Sequence, residues 1–243
     1  MTPRITTAVA GRVLTQIRRD RRTLALLLVL PCLLITLLWW MFEDTPVFDQ
    51  VGPALLAMFP FIVMFLVTSV TTLRERSSGT LERLLAMPMG KLDFLLGYGV
   101  AFGAVAAVQA ALAVGLSVGV LGLDVQGPVW LLLVVAVVDA VLGTALGLFV
   151  SAFAQTEFQA VQFMPAVVIP QILLCGLFIP RDQLPQVLEW VSNVLPLSYA
   201  VDAMTTLTRT SATADVWGDL AIVAAYAVAG LALGAATLRR RTA

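Results

Sequence analysis

Leu73–Met87, LRERSSGTLERLLAM, followed by Pro88, is the longest polar interruption on the basic side of an otherwise apolar chain. Arg74, Glu75 and Arg76 crowd charge at the end of an apolar run, and Ser77, Ser78 and Gly79 then break the backbone. Thr80 is a good N-cap, and Glu82 falls in the first turn that follows, where a negative charge suits the helix dipole. Leu81, Leu84 and Leu85 share one helical face while Glu82 and Arg83 take another. Pro88 ends the segment, because the residue before a proline is biased away from helix. The pattern predicts a two-turn amphipathic rod on a short loop between two membrane spans. Such a rod offers something firm to a soluble partner.

Working outward, composition gives the solvent. Hydrophobic residues make up 60% of the chain and charged ones 12%, with a mean hydropathy of +0.95. Soluble domains run at about 45–50% apolar and about 25% charged. Cys32 and Cys175 both lie in apolar runs and read as small hydrophobes, with no disulfide framework. The chain has no histidine, which excludes His-based general base catalysis and removes the commonest metal ligand. It has no G-x-x-x-x-G-K-[ST]: Gly90 and Lys91 are followed by Leu92, and the upstream glycine is missing. No catalytic residue, metal cluster or nucleic-acid signature stands out.

Six apolar segments are long enough to span a hydrocarbon core, roughly 23–42, 51–73, 92–121, 128–153, 160–179 and 217–238, since about 20 apolar residues suffice. The expected fold is an all-α polytopic membrane protein. It has an amphipathic basic arm over 1–22, a transmembrane domain over 23–238 and a basic tail over 239–243. Pro165 and Pro170 should bend the fifth span. The arm carries Arg4, Arg12, Arg18, Arg19, Arg21 and Arg22, with Ile5, Val9, Val13 and Ile17 at a spacing of four that allows a helix on the membrane surface. Apart from Arg181 and Arg209, every basic residue falls in the arm, in the 73–91 loop or in the tail. By the positive-inside rule both termini and that loop are cytoplasmic. Trp39, Trp40, Trp130, Trp190 and Trp217 all fall at expected outer ends, where indoles anchor at headgroup level.

The largest outer segment is 180–216. Leu184, Val187, Leu188, Val191, Val194 and Leu195 form an apolar helical face between Pro185 and Pro196, expected to lie on or dip into the outer leaflet. A second piece over 197–207 follows, with Ser198 as its cap. Within the spans, Asp139 is the acid nearest a span centre, and such residues usually face a bundle interior or a watery cavity. Gly143 and Gly147 lie on the same helical face and let another helix come close. The residue reads either as an interhelical hydrogen bond or as part of a subunit seam or substrate path. Gln109, Gln171 and Pro170 are weaker candidates for the same path.

RERSSGTLERLLAMP over 74–88, AQTEFQAVQFMPAVVIPQILLCGLFIP over 154–180 and LPLSYAVDAM over 195–204 occur in that order in a chain of six spans with a basic arm. Together they resemble the type-2 ABC transporter permeases, most closely the daunorubicin-type drug-resistance branch. Met87 departs from the Thr or Ser often found there. The resemblance implies a non-catalytic subunit of an ATP-driven exporter in the bacterial inner membrane, moving a hydrophobic or amphipathic substrate. ATP and Mg would be bound by a separate ATPase present in two copies. Residues Arg74, Glu75, Arg76, Gly79, Thr80, Leu81, Glu82, Arg83, Leu84 and Leu85 would match the coupling helix seated in that ATPase. Leu195, Pro196, Ser198 and Tyr199 would shape an outer gate. A second permease, alike or a sister, would pair with this one around the path. Besides substrate, the expected contacts are membrane lipid and no nucleic acid. Within the ABC class, lipid, polysaccharide or sodium export stay open. An ion-coupled secondary transporter and a membrane anchor for a soluble partner are the other classes. The first expects internal repeats and several midplane acids.

Overall fold

The structure, a computed structural model, describes residues 3–43, 45–77 and 91–237. Among these residues it consists of nine α-helices and one short 3-10 turn. Six of the helices are long and apolar enough to cross a membrane. The segment over 78–90, and with it the coupling positions Gly79, Thr80, Leu81, Glu82, Arg83, Leu84 and Leu85, lies outside the described residues, as does the tail from residue 238.

Helix α1 (Pro3–Arg19) buries Val9, Ala10, Val13 and Ile17, the face its four-residue spacing marks. Asp20 ends it and caps α2 (Arg21–Met41), accepting from Thr23 N at 3.1 Å and from Thr23 Oγ1 at 2.7 Å. That cap starts the first span two residues before the Thr23 expected from hydropathy. Helix α1 packs against α4 (Lys91–Gly119), where Gly97 lies so close that an added Cβ would come 2.6 Å from Val9 Cβ. The expected surface helix is thus docked on the bundle by its apolar face.

The centre is the pair α3 (Val47–Ser77) and α5 (Val129–Ser151). A Cβ on Gly143 would run into the carbonyl oxygen of Phe61, and one on Gly147 would lie 2.5 Å from that of Phe65. Equal steps of four on both helices mean that they run parallel, backbone against backbone. Small residues permit such contact where lipid offers no hydrophobic drive for helices to associate. On its other side α5 meets α9 (Ala214–Thr237), with Gly230 close to Ala145 and Gly234 close to Phe149. Glycines stand four residues apart at 99/103, 115/119, 143/147 and 230/234, and the last two pairs hold the closest contacts. Gly115 and Gly119 have open space beside them.

Helix α6 (Glu157–Leu174) contains Pro165 and Pro170, and α2 and α3 carry Pro31, Pro53 and Pro60 within their spans. Bundles tolerate such prolines where neighbours or water satisfy the freed carbonyls. After α6 the chain turns at Gly176 (φ 94°), makes the 3-10 turn Arg181–Gln183, and forms α7 (Gln186–Val194) and α8 (Pro196–Arg209). Leu207 O accepts from Gly127 N at 2.8 Å, at the end of the bundle opposite the basic arm, which is acidic because Asp49, Asp124, Asp182 and Asp215 lie there. The Tyr226 hydroxyl donates to Val194 O at 2.8 Å, and Tyr226 is one turn from Gly230, which meets the middle of α5. The corner between α7 and α8 therefore dips well into the bundle, and α8 climbs back out. Ser198 does not cap α8. Leu195 holds that position, Pro196 opens the helix, and the Ser198 hydroxyl faces Ser192 Oγ at 3.1 Å instead.

The seam generates a prediction. Gly147→Val should cost about 1–3 kcal/mol through overpacking, seen as a lower thermal midpoint in detergent. Gly115→Ala, in open space, should leave the midpoint in place.

Candidate functional site

At the basic end three helices converge where the 78–90 segment leaves α3. Glu75 is buried and accepts from Arg12 of α1 at 2.5 Å. One residue earlier, Arg74 reaches α6, donating from Nε to Glu157 Oε1 at 3.1 Å and from Nη2 to Oε2 at 3.2 Å. Both helix ends favour this: Glu157 sits in the first turn of α6, where Thr156 caps Gln159 N. Adjacent residues of α3 thus tie two different helices. The Arg74–Glu157 fork is exposed on both sides, which limits it to at most about 1 kcal/mol. The Arg12–Glu75 pair, with its carboxylate buried, is the stronger tie.

In the middle, Asp139 lies on α5 one turn before Gly143, wholly buried, and neither carboxylate oxygen has a hydrogen-bond partner among the described residues. Gln109 on α4 is buried with both amide atoms likewise unpartnered. Gln171, also buried, bridges instead: its Nε2 donates to Val167 O at 3.1 Å and its Oε1 accepts from Leu197 N at 3.4 Å, joining α6 to the start of α8. Pro170 is exposed beside it. Along the same open face of α6 lie Gln162 and Pro165. Each proline removes the donor for a carbonyl four residues back, those of Val161 and Ala166.

At the acidic end one arginine organises the hairpin. Arg181 donates from Nε to Ser192 Oγ at 2.9 Å, from Nη2 to Asn193 Oδ1 at 2.5 Å and from Nη1 to Asp202 Oδ2. Its guanidinium carbon lies 5.0 Å from the centre of the Tyr199 ring, and Tyr199 in turn donates to Asn193 O at 2.7 Å. Ser192 passes the contact on, donating to Leu174 O at 2.7 Å at the end of α6. Burial pushes the Asp202 carboxyl above its ordinary value, and the Arg181 guanidinium opposes that shift. A cavity of about 300 Å³ opens beside this node, lined among others by Gln50, Gly176, Asp202, Thr205 and Arg209. Arg181 and Arg209, the two basic residues on the acidic side, therefore line one cavity. That misplaced charge is the signal by which the sequence could have revealed the node. No periodicity in the sequence joins Arg181 to Ser192, Asn193 and Asp202.

Helix α7 presents Val187, Leu188, Trp190, Val191 and Val194 outward and buries Ser192. Its apolar face is therefore the open one. Trp130 and Trp217 meet at 6.2 Å between ring centres at the same end of the bundle, Trp40 and Trp190 are exposed, and Trp39 is half-buried. No group of three or more candidate metal ligands occurs among the described residues.

The chain matches the family described as ABC-2 type transporter over residues 5–207. It is similar to ABC transporter G family member 20 of Dictyostelium discoideum, 26% identical over 156 residues, which are 64% of this chain and 21% of that protein. It is also similar to the probable multidrug ABC transporter permease YbhR of Escherichia coli, 28% identical over 171 residues, 70% of this chain and 46% of YbhR. The inner membrane transport permease YhhJ of Escherichia coli is 27% identical over 158 residues, 64% of this chain and 42% of YhhJ. The chain thus spans less than half the length of each of these relatives.

The ties and the Arg181 node give three expectations. Arg12→Gln should destabilise by about 1–3 kcal/mol, because a buried carboxylate loses its charged donor, and should speed proteolysis between α1 and α2. Arg74→Gln should change the midpoint by no more than about 1 kcal/mol. Arg181→Lys cannot restore a planar fork with several simultaneous acceptors. In a chain carrying Cys32→Ser it should therefore raise maleimide labelling of Cys175, which is fully buried in the native fold.

Proposed function

The chain belongs to the ABC-2 type transporter family, and from that premise we propose that it is the membrane permease of an ATP-driven exporter, energised by a separate ATPase. The observation that carries the reading is the convergence of α1, α3 and α6 at the basic end, through Arg12–Glu75 and Arg74–Glu157. A push delivered to the 78–90 segment acts first on the end of α3. From there it has a direct route to α1 and, through Glu157, to α6. Helix α6 leads in turn to Leu174 and Gln171, which hold the re-entrant corner at the far end. The basic end is taken as cytoplasmic, by the positive-inside rule.

The substrate route runs, on this reading, along the open face of α6 between two copies or sister chains. Lipid-exposed polar backbone is not tolerated in hydrocarbon. An amide at Gln162 and two carbonyls freed by prolines call for water or protein opposite them. The open face of α2, by contrast, is uniformly apolar from Leu26 to Trp40 and suits lipid. The substrate is a hydrophobic or amphipathic small molecule. The similar bacterial permease YbhR, named as a probable multidrug ABC transporter permease, fits that class. Asp139, buried on the same face of α5 as the seam glycines, belongs on this reading to the interior of one subunit and stays away from the route. Alternating access is then a rigid-body change of one half against the other, driven by ATP binding to the partner.

Purification from native membranes in mild detergent should bring down a soluble ATPase. Glu82→Ala or Leu84→Ala in the 78–90 segment should lower substrate-stimulated hydrolysis by roughly tenfold, about 1.4 kcal/mol of coupling, and leave the thermal midpoint unchanged. Transport that follows an ion gradient with no ATPase attached would refute the proposal.

A further inference from the structure

The elbow between α1 and α2 carries the densest charge in the described structure. Arg18, Arg19, Arg21 and Arg22 are all exposed, and no guanidinium of the four makes a hydrogen bond or ion pair among the described residues. The adjacent acid offsets only one of these four charges. Both oxygens of Asp20 are taken by Thr23, and those hydrogen bonds hold its carboxyl below the ordinary value. Arg18 and Arg19 at least suit the C-terminal end of α1. Arg21 and Arg22 stand in the first turn of α2, where the dipole disfavours cations. The elbow is therefore short of negative charge.

Above it the surface changes character abruptly. Leu26, Leu30, Leu33 and Leu37 follow Arg22 on one face of α2 and are between 41% and 63% exposed, and Trp40 ends the row at 67%. Arg22 and Trp40 are 18 residues apart, roughly 27 Å along a helix, which matches a hydrocarbon core of about 30 Å. A cationic patch thus sits at one headgroup level with an open apolar track rising from it. Its complement is a molecule with a phosphate at one end and acyl chains at the other. A second copy does not fit, because a two-fold contact on this face would bring two arginine clusters together.

We propose that the α1–α2 elbow binds an anionic phospholipid of the leaflet at the basic end. Its phosphate is held by Arg18, Arg19, Arg21 and Arg22, and its chains lie along Leu26, Leu30 and Leu33. The lipid supplies the missing counter-charge and fixes α1 flat against α4. This site is independent of the transport reading and needs only that α2 span the membrane.

The test is titration of the detergent-purified full chain with fluorescent phosphatidylglycerol. Arg21→Gln with Arg22→Gln should weaken binding roughly thirtyfold, at about 1 kcal/mol per basic residue. Phosphatidylcholine of the same chain length should compete poorly, and raised salt should weaken the phosphatidylglycerol complex. Should that double variant fail to fold, Arg18→Gln with Arg19→Gln carries the same expectation. Equal affinity of variant and native chain, or equal competition by phosphatidylcholine, overturns the proposal. So does inorganic phosphate binding as tightly as the lipid, since the apolar track would then contribute nothing. A disulfide between copies carrying Leu30→Cys would place a protein partner on the track and overturn it as well.

Discussion

The contact on which the rest depends is the parallel seam of α3 and α5, where Gly143 and Gly147 rest on the carbonyls of Phe61 and Phe65. In a bilayer, apolar side chains gain little by leaving lipid for one another, so close van der Waals contact has to hold the helices. Two glycines one turn apart bring the backbones together over that turn. Around this pair α9 closes one side through Gly230 and Ala145, and α8 descends against the bundle from the acidic end. Helix α3 is the longest in the described structure, and it projects beyond the seam at both ends. That gives it the character of a strut, with a fixed middle and two working ends.

Each end of the bundle is tied by charge. At the basic end the ties are Arg12–Glu75 and Arg74–Glu157, and at the other end Arg181 gathers Ser192, Asn193 and Asp202. The two groups differ in strength for a physical reason. Arg181 is largely buried and holds several acceptors in one plane, which suits a guanidinium. The Arg74–Glu157 pair stands in solvent and can break and reform cheaply. A permease that must move needs a firm corner at one end and a yielding joint at the other.

Much of this was legible in the amino-acid sequence, because membrane spans are read from run length and the runs here are long. The basic arm, the prolines of α6 and the close approach at Gly143 and Gly147 each had a local signal. Errors came where one side chain overruled the average. Asp20 moved the start of α2 by capping it, and Pro196 took the helix start from Ser198. The cross-ties had no local signal, since Arg12 and Glu75 are 63 residues apart and no periodicity connects them. Arg181 did have one, as a cation on the acidic side, but charge placement was used there only to orient the chain. The amphipathic pattern of α7 was read correctly as a pattern. Which side it buries depends on Ser192 reaching Leu174, a contact that the pattern does not encode.

The central claim is that α6 faces a partner permease across a path that ATP reshapes. Spin labels at Gln162→Cys in the reconstituted transporter test it most directly, by electron–electron distance with and without ATP and the partner ATPase. The account predicts a defined distance between the two labels that changes when ATP binds. A label that finds no partner within measurable range, or a distance indifferent to ATP, would contradict it and return α6 to the lipid.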